Sequence, residues 1–299
     1  MTAALVPGRG QIDLHTHTAV SDGAVTPEDL VAQARRLGLR WLAVADHDTT
    51  RSLPACMSAA ATAGIGFIPA VEITSANPQN GNPLHILGYG VRLESTEWLD
   101  SALAGVRQAR TDWHRRGVGR LRAEGYQVTW SDVLSHAMGG DVHRVHVMLA
   151  LADAGYTTRF KGDLYRKLSA PSGILSGDTA CLNPDLAIDL IHESGGVAVL
   201  AHPGIAGAIA SCDLLVDMGL DGIEAFHPSH SPEIVGQALA LAQAHRLAVT
   251  GGSDYHGIYS DYDAALGCPE LTPGHVEDLL ERIGAVGQVV PASVDARNA

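Results

Sequence analysis

"DLHTHTAVSDG", residues 13–23, sets two histidines two positions apart in what reads as a β-strand, with Asp22 just beyond. Side chains in a strand alternate faces with period two, so His15 and His17 point the same way. Two imidazoles converging on one spot make a metal site, a proton relay or a coincidence. The rest of the chain has to decide among them.

Working outward, short apolar β-type runs recur at 11–17, 40–46, 66–73, 84–89, 196–201, 221–226 and 247–252. Each is expected to be separated from the next by a helical pattern. Three helices open on a capping residue followed by proline: Thr26-Pro27-Glu28, Asn183-Pro184-Asp185 and Ser231-Pro232-Glu233. Each is expected to supply a cap oxygen and a preset φ at the first helical position. Strand–helix alternation implies a parallel sheet or a βα barrel, and seven strands suit an incomplete barrel better than an eight-fold one. Between 96 and 180 the alternation stops, and the segment reads as an α-helical insertion. Residues 98–125 form a long Arg-studded helix there, and residues 131–155 one or two more. The expected organisation is therefore a barrel from 1–95 and 181–299, interrupted by the insertion 96–180. The polar tail after Val290 is expected to fray.

Polar, metal-capable residues fall at the strand ends. His15, His17 and Asp22 follow the first strand, and His47 sits in "ADHDTT" after the second. Glu72 lies in "AVEIT", His85 in "LHILGYG", His202 in "LAHPG", and Asp254 and His256 in "GGSDYHG". In parallel βα architectures chemistry gathers at the C-terminal ends of strands, because those loops share one mouth. Each residue alone has a bland explanation, such as a core histidine or a turn-forming aspartate. Jointly, six histidines and three acids at strand ends are hard to obtain by chance. Nine donors exceed the four to six that one ion takes, so with bridging carboxylates they suit two or three ions. Imidazole and carboxylate without thiolate favour Mn²⁺, Fe²⁺ or Zn²⁺.

Composition narrows the class. The chain has 299 residues, is 46% hydrophobic and holds 33 glycines, as a globular enzyme does. No apolar run approaches the roughly 18 residues of a membrane helix, and "MTAALVPGRG" has no basic-then-apolar leader pattern. Cys56, Cys181, Cys212 and Cys268 are scattered, which predicts reduced thiols and a cytoplasmic protein. The net charge of −13 disfavours charge-driven binding of long nucleic acid. Residues 98–180 nevertheless carry 11 basic against 8 acidic side chains, while the remainder carries 9 against 25. An acidic metal-binding body with a basic, anion-gripping lid has that distribution. So does a plain solvated helical surface.

As an ordered set, "DLHTHTAVSDG", "ADHDTT", "VEIT", "LHILGYG", "LAHPG" and "GGSDYHG" resemble the metal motifs of the polymerase-and-histidinol-phosphatase (PHP) superfamily. The pattern is most like its stand-alone phosphoesterases, which include nucleoside 3′,5′-bisphosphate phosphatases and 5′→3′ RNases. The resemblance implies a distorted (β/α)₇ barrel with a trinuclear metal centre. His15, His17, Glu72 and Asp254 would hold a first ion. Glu72 would bridge to a second held by His85 and His202, and Asp22, His47 and His256 would hold a third. Asp13, on the same face as the two histidines, is expected to be structural.

The resemblance also implies an anion grip in the insertion. In "HRVHVMLALADAG", Arg144 and His146 match the Arg-x-His with which relatives meet substrate phosphate, and a guanidinium suits its geometry. In "FHPSHS", His230 matches a histidine near the phosphate, and His227 has no clear counterpart. Two features depart from the pattern: "VMLA" lacks a further arginine, and "KLSAPSGILSG" replaces a Gly-Lys-Pro-type segment.

The implied activity is a metal-dependent phosphoesterase working by attack of metal-bound hydroxide. Arg144 would hold charge, and His230 or His146 would donate to the leaving oxygen. The favoured substrate is the 3′-phosphate of a nucleoside 3′,5′-bisphosphate or the 5′ end of a short RNA. Histidinol phosphate or another small phosphate ester is the alternative. Amide hydrolysis also begins with His-x-His, but its usual carboxylated lysine is disfavoured: Lys161 and Lys167, the only two lysines, lie in the insertion. A non-catalytic metal-binding module is the third class, and it would be expected to have lost some of the nine ligands.

Overall fold

The structure is a computed structural model that describes residues 11–170, 172–177, 181–259, 265–284 and 287–291. Of the tail expected to fray after Val290, residues 292–299 lie outside this set. In chain order the elements are β1 (Ile12–Asp13), α1 (Pro27–Arg36), β2 (Trp41–Val44), α2 (Leu53–Ala63), β3 (Gly66–Ala76) and β4 (Pro83–Tyr89). Next come α3 (Thr96–Ala123), α4 (Trp130–Leu134), α5 (Arg144–Asp153), α6 (Asp163–Ser169), α7 (Pro184–Glu193) and β5 (Val197–Leu200). The last are α8 (Cys212–Asp217), β6 (Gly222–Phe226), α9 (Pro232–His245), β7 (Ala248–Gly251) and α10 (Pro273–Ile283).

The seven strands lie in sequence order in one sheet. The Leu14 amide donates to the Gly251 carbonyl at 3.3 Å and the His17 amide to Tyr255 at 2.9 Å, which brings the two edges together. The result is a distorted (β/α)₇ barrel. Three strand expectations need correction. The sheet is mixed, because β4 runs antiparallel to both β3 and β5. The connection between β3 and β4, residues 77–82, is too short for the crossover that parallel strands need. It is instead a hairpin turn, with Asn77 accepting from the Gln79 amide at 2.8 Å and Gly81 at φ +73°. The first strand is also shorter than 11–17: its ladder covers Ile12–Asp13, and Thr16 makes one isolated bridge to Tyr255.

Helix starts follow local chemistry. Thr26 accepts from the Asp29 amide at 3.2 Å and Ser231 from the Ile234 amide at 3.3 Å, each followed by proline. Asn183 departs from its expectation: it holds the cap position without a side-chain cap bond. Alternate residues of β2 to β5 (Ala43, Ile68, Ala70, Leu87, Tyr89, Val197, Val199), with Ala45 just past β2, share one apolar cluster with Val276, Leu279 and Ile283 of α10.

Between β4 and β5 the chain is helical. The 28-residue α3 is about 42 Å long at 1.5 Å per residue. Its lower half buries Leu99 and Leu103 in the cluster shared with β3 to β6. Its upper half buries Val118 and Leu121 in a second cluster with α4, α5 and α6.

Candidate metal centre

Reversal of β4 explains how His85 reaches the site. The start of an antiparallel strand lies at the same mouth as the ends of its parallel neighbours, and His85 pairs with Thr74 near the end of β3. His85 therefore belongs to a strand's beginning, not its end. Glu72 is likewise not terminal, since β3 continues four residues past it.

Glu72 is the hub. One carboxylate oxygen lies 3.1 Å from His15 Nε2, 3.2 Å from His17 Nε2 and 3.3 Å from His47 Nδ1. The other lies 2.7 Å from His85 Nδ1 and 2.9 Å from His202 Nε2. Asp254 Oδ1 stands 3.2 Å from His17 Nε2, and Asp22 stands 3.3 Å from His256 Nε2 and 3.7 Å from His47 Nε2. Donor atoms converge in three groups, each within 4.8 Å: His15, His17, Glu72 and Asp254; His17, Asp22, His47 and His256; His47, Glu72 and His85. All nine residues expected from the sequence are thus brought to one mouth.

The donor geometry fits divalent ions. Ligands about 2.1 Å from one ion at 90–109° are about 3.0–3.4 Å apart, the spacing of His15, His17 and His47 from one Glu72 oxygen. Both ring nitrogens of buried His17, and Nδ1 of His47, have no hydrogen-bond partner in the structure, although buried polar atoms are ordinarily satisfied. Burial would raise Glu72, but His47, His85 and His15 hold its carboxyl well below the usual range. Burial would likewise raise Asp22 and Asp254, and His256 leads the charges that keep both well below. Burial would lower His17, yet Asp254 and Glu72 lift it to about 10. The three buried carboxylates depend on neighbouring positive charge, which divalent ions would supply.

Surrounding groups fix these donors. Asp46 accepts from the Thr18 amide at 2.8 Å, the Thr18 hydroxyl at 2.7 Å and the Ser21 hydroxyl at 2.6 Å, which folds the loop carrying Asp22. Asp13 is structural, as expected: it accepts from the Ser253 hydroxyl at 2.6 Å and the Gly267 amide at 2.7 Å. Gly252 permits close approach, because a Cβ there would sit 2.3 Å from His15 Cβ. Asp48 (φ 54°), His202 (26°) and Asp254 (51°) are three of the five non-glycine residues at positive φ among the described residues. Backbone strain of this kind collects at functional sites.

A cleft of about 380 Å³ opens over the centre. Arg144 lines it from the first position of α5, and its Nε has no hydrogen-bond partner. His143, unmarked by the sequence reading, also lines it and lies 3.8 Å from Asp22. Burial, then the Arg110 charge, drives His143 well below the normal imidazole range, so its ring is neutral. His146 turns elsewhere: its Nδ1 accepts from the His143 amide at 3.1 Å, and burial takes it to about 4. His230 is held by backbone on both sides. Its Nδ1 donates to the Ala225 carbonyl at 2.9 Å, and its Nε2 accepts from the Gly204 amide at 3.1 Å. Neither ring nitrogen is left for substrate. His227 Nε2 lies 3.5 Å from Asp254.

Two further residues were not singled out from the sequence. Glu224 in β6 lies 3.1 Å from His15 Nδ1 and accepts from the His202 amide at 2.7 Å. A lone acid in the apolar run "DGIEAF" is the available signal, since a buried carboxylate needs partners. Arg110 of α3 bonds Asp48 and donates to the Thr74 hydroxyl at 2.9 Å, which clamps the helix to the strands beside His47 and Glu72.

A cluster of histidines and carboxylates that could hold divalent ions, seated in the mouth of a seven-stranded barrel, is the kind of site a metal-dependent hydrolase uses. Comparison with known proteins supplies the family. The PHP domain model matches residues 13–157. The chain is 36% identical over 250 residues to the phosphoribosyl 1,2-cyclic phosphate 1,2-diphosphodiesterase of Eggerthella lenta, covering 82% of this chain and 94% of that one. It is 31% identical over 276 residues to the 3′,5′-nucleoside bisphosphate phosphatase of Chromobacterium violaceum, covering 90% and 92%. A crystal structure from Bifidobacterium adolescentis superposes with a TM-score of 0.82 at 30% identity, over 98% of this chain and 99% of that one. The chain belongs to the PHP domain family and is a metal-dependent hydrolase of phosphoesters. Among the described residues no helix is long and apolar enough to cross a membrane.

Proposed function

We propose that this phosphoesterase removes the 3′-phosphate from nucleoside 3′,5′-bisphosphates, with two or three divalent ions, Mn²⁺ foremost. His15, His17, Glu72 and Asp254 would hold one ion. Glu72, His85 and His202 would hold a second, and Asp22, His47 and His256 a third. Ions bound there would lower the pKa of water toward neutrality and neutralise charge on the phosphoryl oxygens.

One observation carries the substrate reading: the cleft joins a carboxylate–imidazole floor to a cationic wall. The floor suits a reacting phosphoryl group. On the wall, the positive end of α5 and the Arg144 guanidinium suit a second phosphate that is bound and not cleaved. His143 stays neutral beside Asp22 as a hydrogen-bonding group. His146 acts indirectly, by fixing the His143 backbone. His230 does not donate to the leaving oxygen in this reading, because both its nitrogens are bonded to backbone. The two named relatives support a two-phosphate substrate, since each name describes two phosphate groups on one ribose unit. The first nucleotide of a 5′-phosphorylated RNA carries the same phosphate–ribose–phosphate unit.

The test is phosphate release with Mn²⁺ from adenosine 3′,5′-bisphosphate, AMP, histidinol phosphate and a 5′-phosphorylated RNA oligomer. His15→Ala serves as control. Release from the bisphosphate that disappears in the variant supports the proposal. Turnover of histidinol phosphate alone, or of none of the four, overturns it.

A further inference from the structure

The cleft has a third kind of wall. Phe160 and Tyr165 from the helical segment, and Tyr259 from the loop after β7, line it beside the charged groups. The ring centroids of Phe160 and Tyr259 are 5.5 Å apart and those of Phe160 and Tyr165 are 5.9 Å apart, with planes tilted by 47° and 45°. All three rings are partly exposed. The ammonium of Lys161 lies 5.7 Å from the Phe160 ring centroid. Tyr259 ends the short turn Gly257–Tyr259 that follows His256, so its position is tied to the centre by a few backbone bonds.

Aromatic faces left partly exposed in an otherwise charged cleft do nothing for a phosphoryl group. They suit a flat π-system, and their tilted arrangement leaves a face for stacking. From this we infer that Phe160, Tyr165 and Tyr259 form a stacking site for the nucleobase, placed so that the base packs under the helical roof while the ribose phosphates reach the floor and Arg144. Phe160 and Tyr165 come from the roof and Tyr259 from the barrel, so a bound base would bridge the two. This inference rests on the nucleotide reading above and names the part of the substrate that reading leaves open. Stacking tolerates any base, so the site selects for the presence of a base and discriminates weakly among bases.

The test compares binding of AMP with binding of ribose 5-phosphate to the metal-loaded enzyme by calorimetry. The two ligands differ by the base, and neither has a 3′-phosphate to lose. AMP is expected to bind about 10-fold to 100-fold more tightly, the range that stacking of one base contributes. Tyr259→Leu and Phe160→Leu, each checked for folding by circular dichroism, are expected to move that ratio toward one. Because the readout is a ratio within one variant, a general loss of active protein does not mimic the result. A ratio near one in the unmodified enzyme overturns the inference, whatever the phosphatase assay shows. A ratio that survives in both variants overturns the assignment to these rings. An intact ratio that collapses in the variants upholds the stacking site, even where adenosine 3′,5′-bisphosphate is not hydrolysed and the proposed reaction has failed.

Discussion

The carboxylate of Glu224 lies 3.1 Å from Nδ1 of His15, on the side of the ring opposite Glu72. A bond from Nδ1–H to Glu224 leaves Nε2 as the lone-pair nitrogen facing the cluster, the tautomer a metal ligand needs. The other Glu224 oxygen accepts from the His202 amide, so one side chain orients two of the nine donors. Glu224→Gln is expected to lower metal content or kcat/KM by about 10-fold to 100-fold, the usual effect of removing such a partner. Metal analysis of the purified variant beside its rate decides the point. Full metal content with an unchanged rate would show that Glu224 only fills space.

Glu72 touches five histidines within 3.3 Å. Chelation should therefore remove activity, and added Mn²⁺ should restore it. Ion at 100-fold above its Kd stabilises the folded state by about 2.7 kcal/mol. For a chain of 299 residues that raises the melting temperature by about 4 °C. Glu72→Gln should lose most of that rise. A melting curve indifferent to Mn²⁺ in the unmodified protein would contradict the centre.

Arg144 is proposed to hold the phosphate that is not cleaved. Arg144→Ala should raise KM for adenosine 3′,5′-bisphosphate by about 10-fold to 100-fold, matching a lost charge-assisted bond of about 1.5–3 kcal/mol. Arg144→Lys should recover part of this, because an ammonium cannot reproduce the two-pronged geometry. With p-nitrophenyl phosphate, which has no second phosphate, the same variants should change much less. An equal loss on both substrates would place Arg144 at the reacting group.

His114 of α3 is buried in the cleft wall. Burial foremost, with the Arg144 and Arg110 charges, lowers it from 6.5 to about 3. The folded state thus holds this ring neutral, while the unfolded chain takes up a proton below 6.5. The stability it contributes is complete above pH 6.5 and is lost progressively as pH falls toward 3. At pH 5 the loss from this one group is about 2 kcal/mol. Urea unfolding at pH 7 and pH 5 should show a smaller acid penalty in His114→Phe than in the unmodified protein. Equal penalties would mean that the ring titrates normally.

How much of this was legible in the sequence depended on where each signal was local. The nine donors stood out because each sits in a short motif in or beside a strand, although Glu72 and His85 are not at strand ends, and spacing alone paired His15 with His17. The reversed β4 was equally local, since the six residues 77–82 are too few for a crossover and contain Asn-Pro and Asn-Gly. The strand–helix rhythm elsewhere masked it. Glu224 was silent because its partners, His15 and His202, are remote in sequence, and one acid in an apolar strand does not say what it faces. The choice of His146 over His143 turned on helix-start geometry. His143 takes the cap position and reaches the cleft, whereas His146, three residues on, folds back onto the cap's amide.

The long helix α3 belongs to two apolar cores, one at each end. Mechanically it is a beam: its root is set in the barrel, Arg110 on Asp48 braces it midway, and the roof over the cleft rides on its far end and is also tied to Arg51 through Gly139 and Asp141. A beam has no hinge, so the roof tilts as a stiff body and resists folding away as a flap. The same continuity transmits heat denaturation, because melting the barrel frees the root and loosens the roof with it. The molecule is accordingly expected to unfold in a single cooperative step.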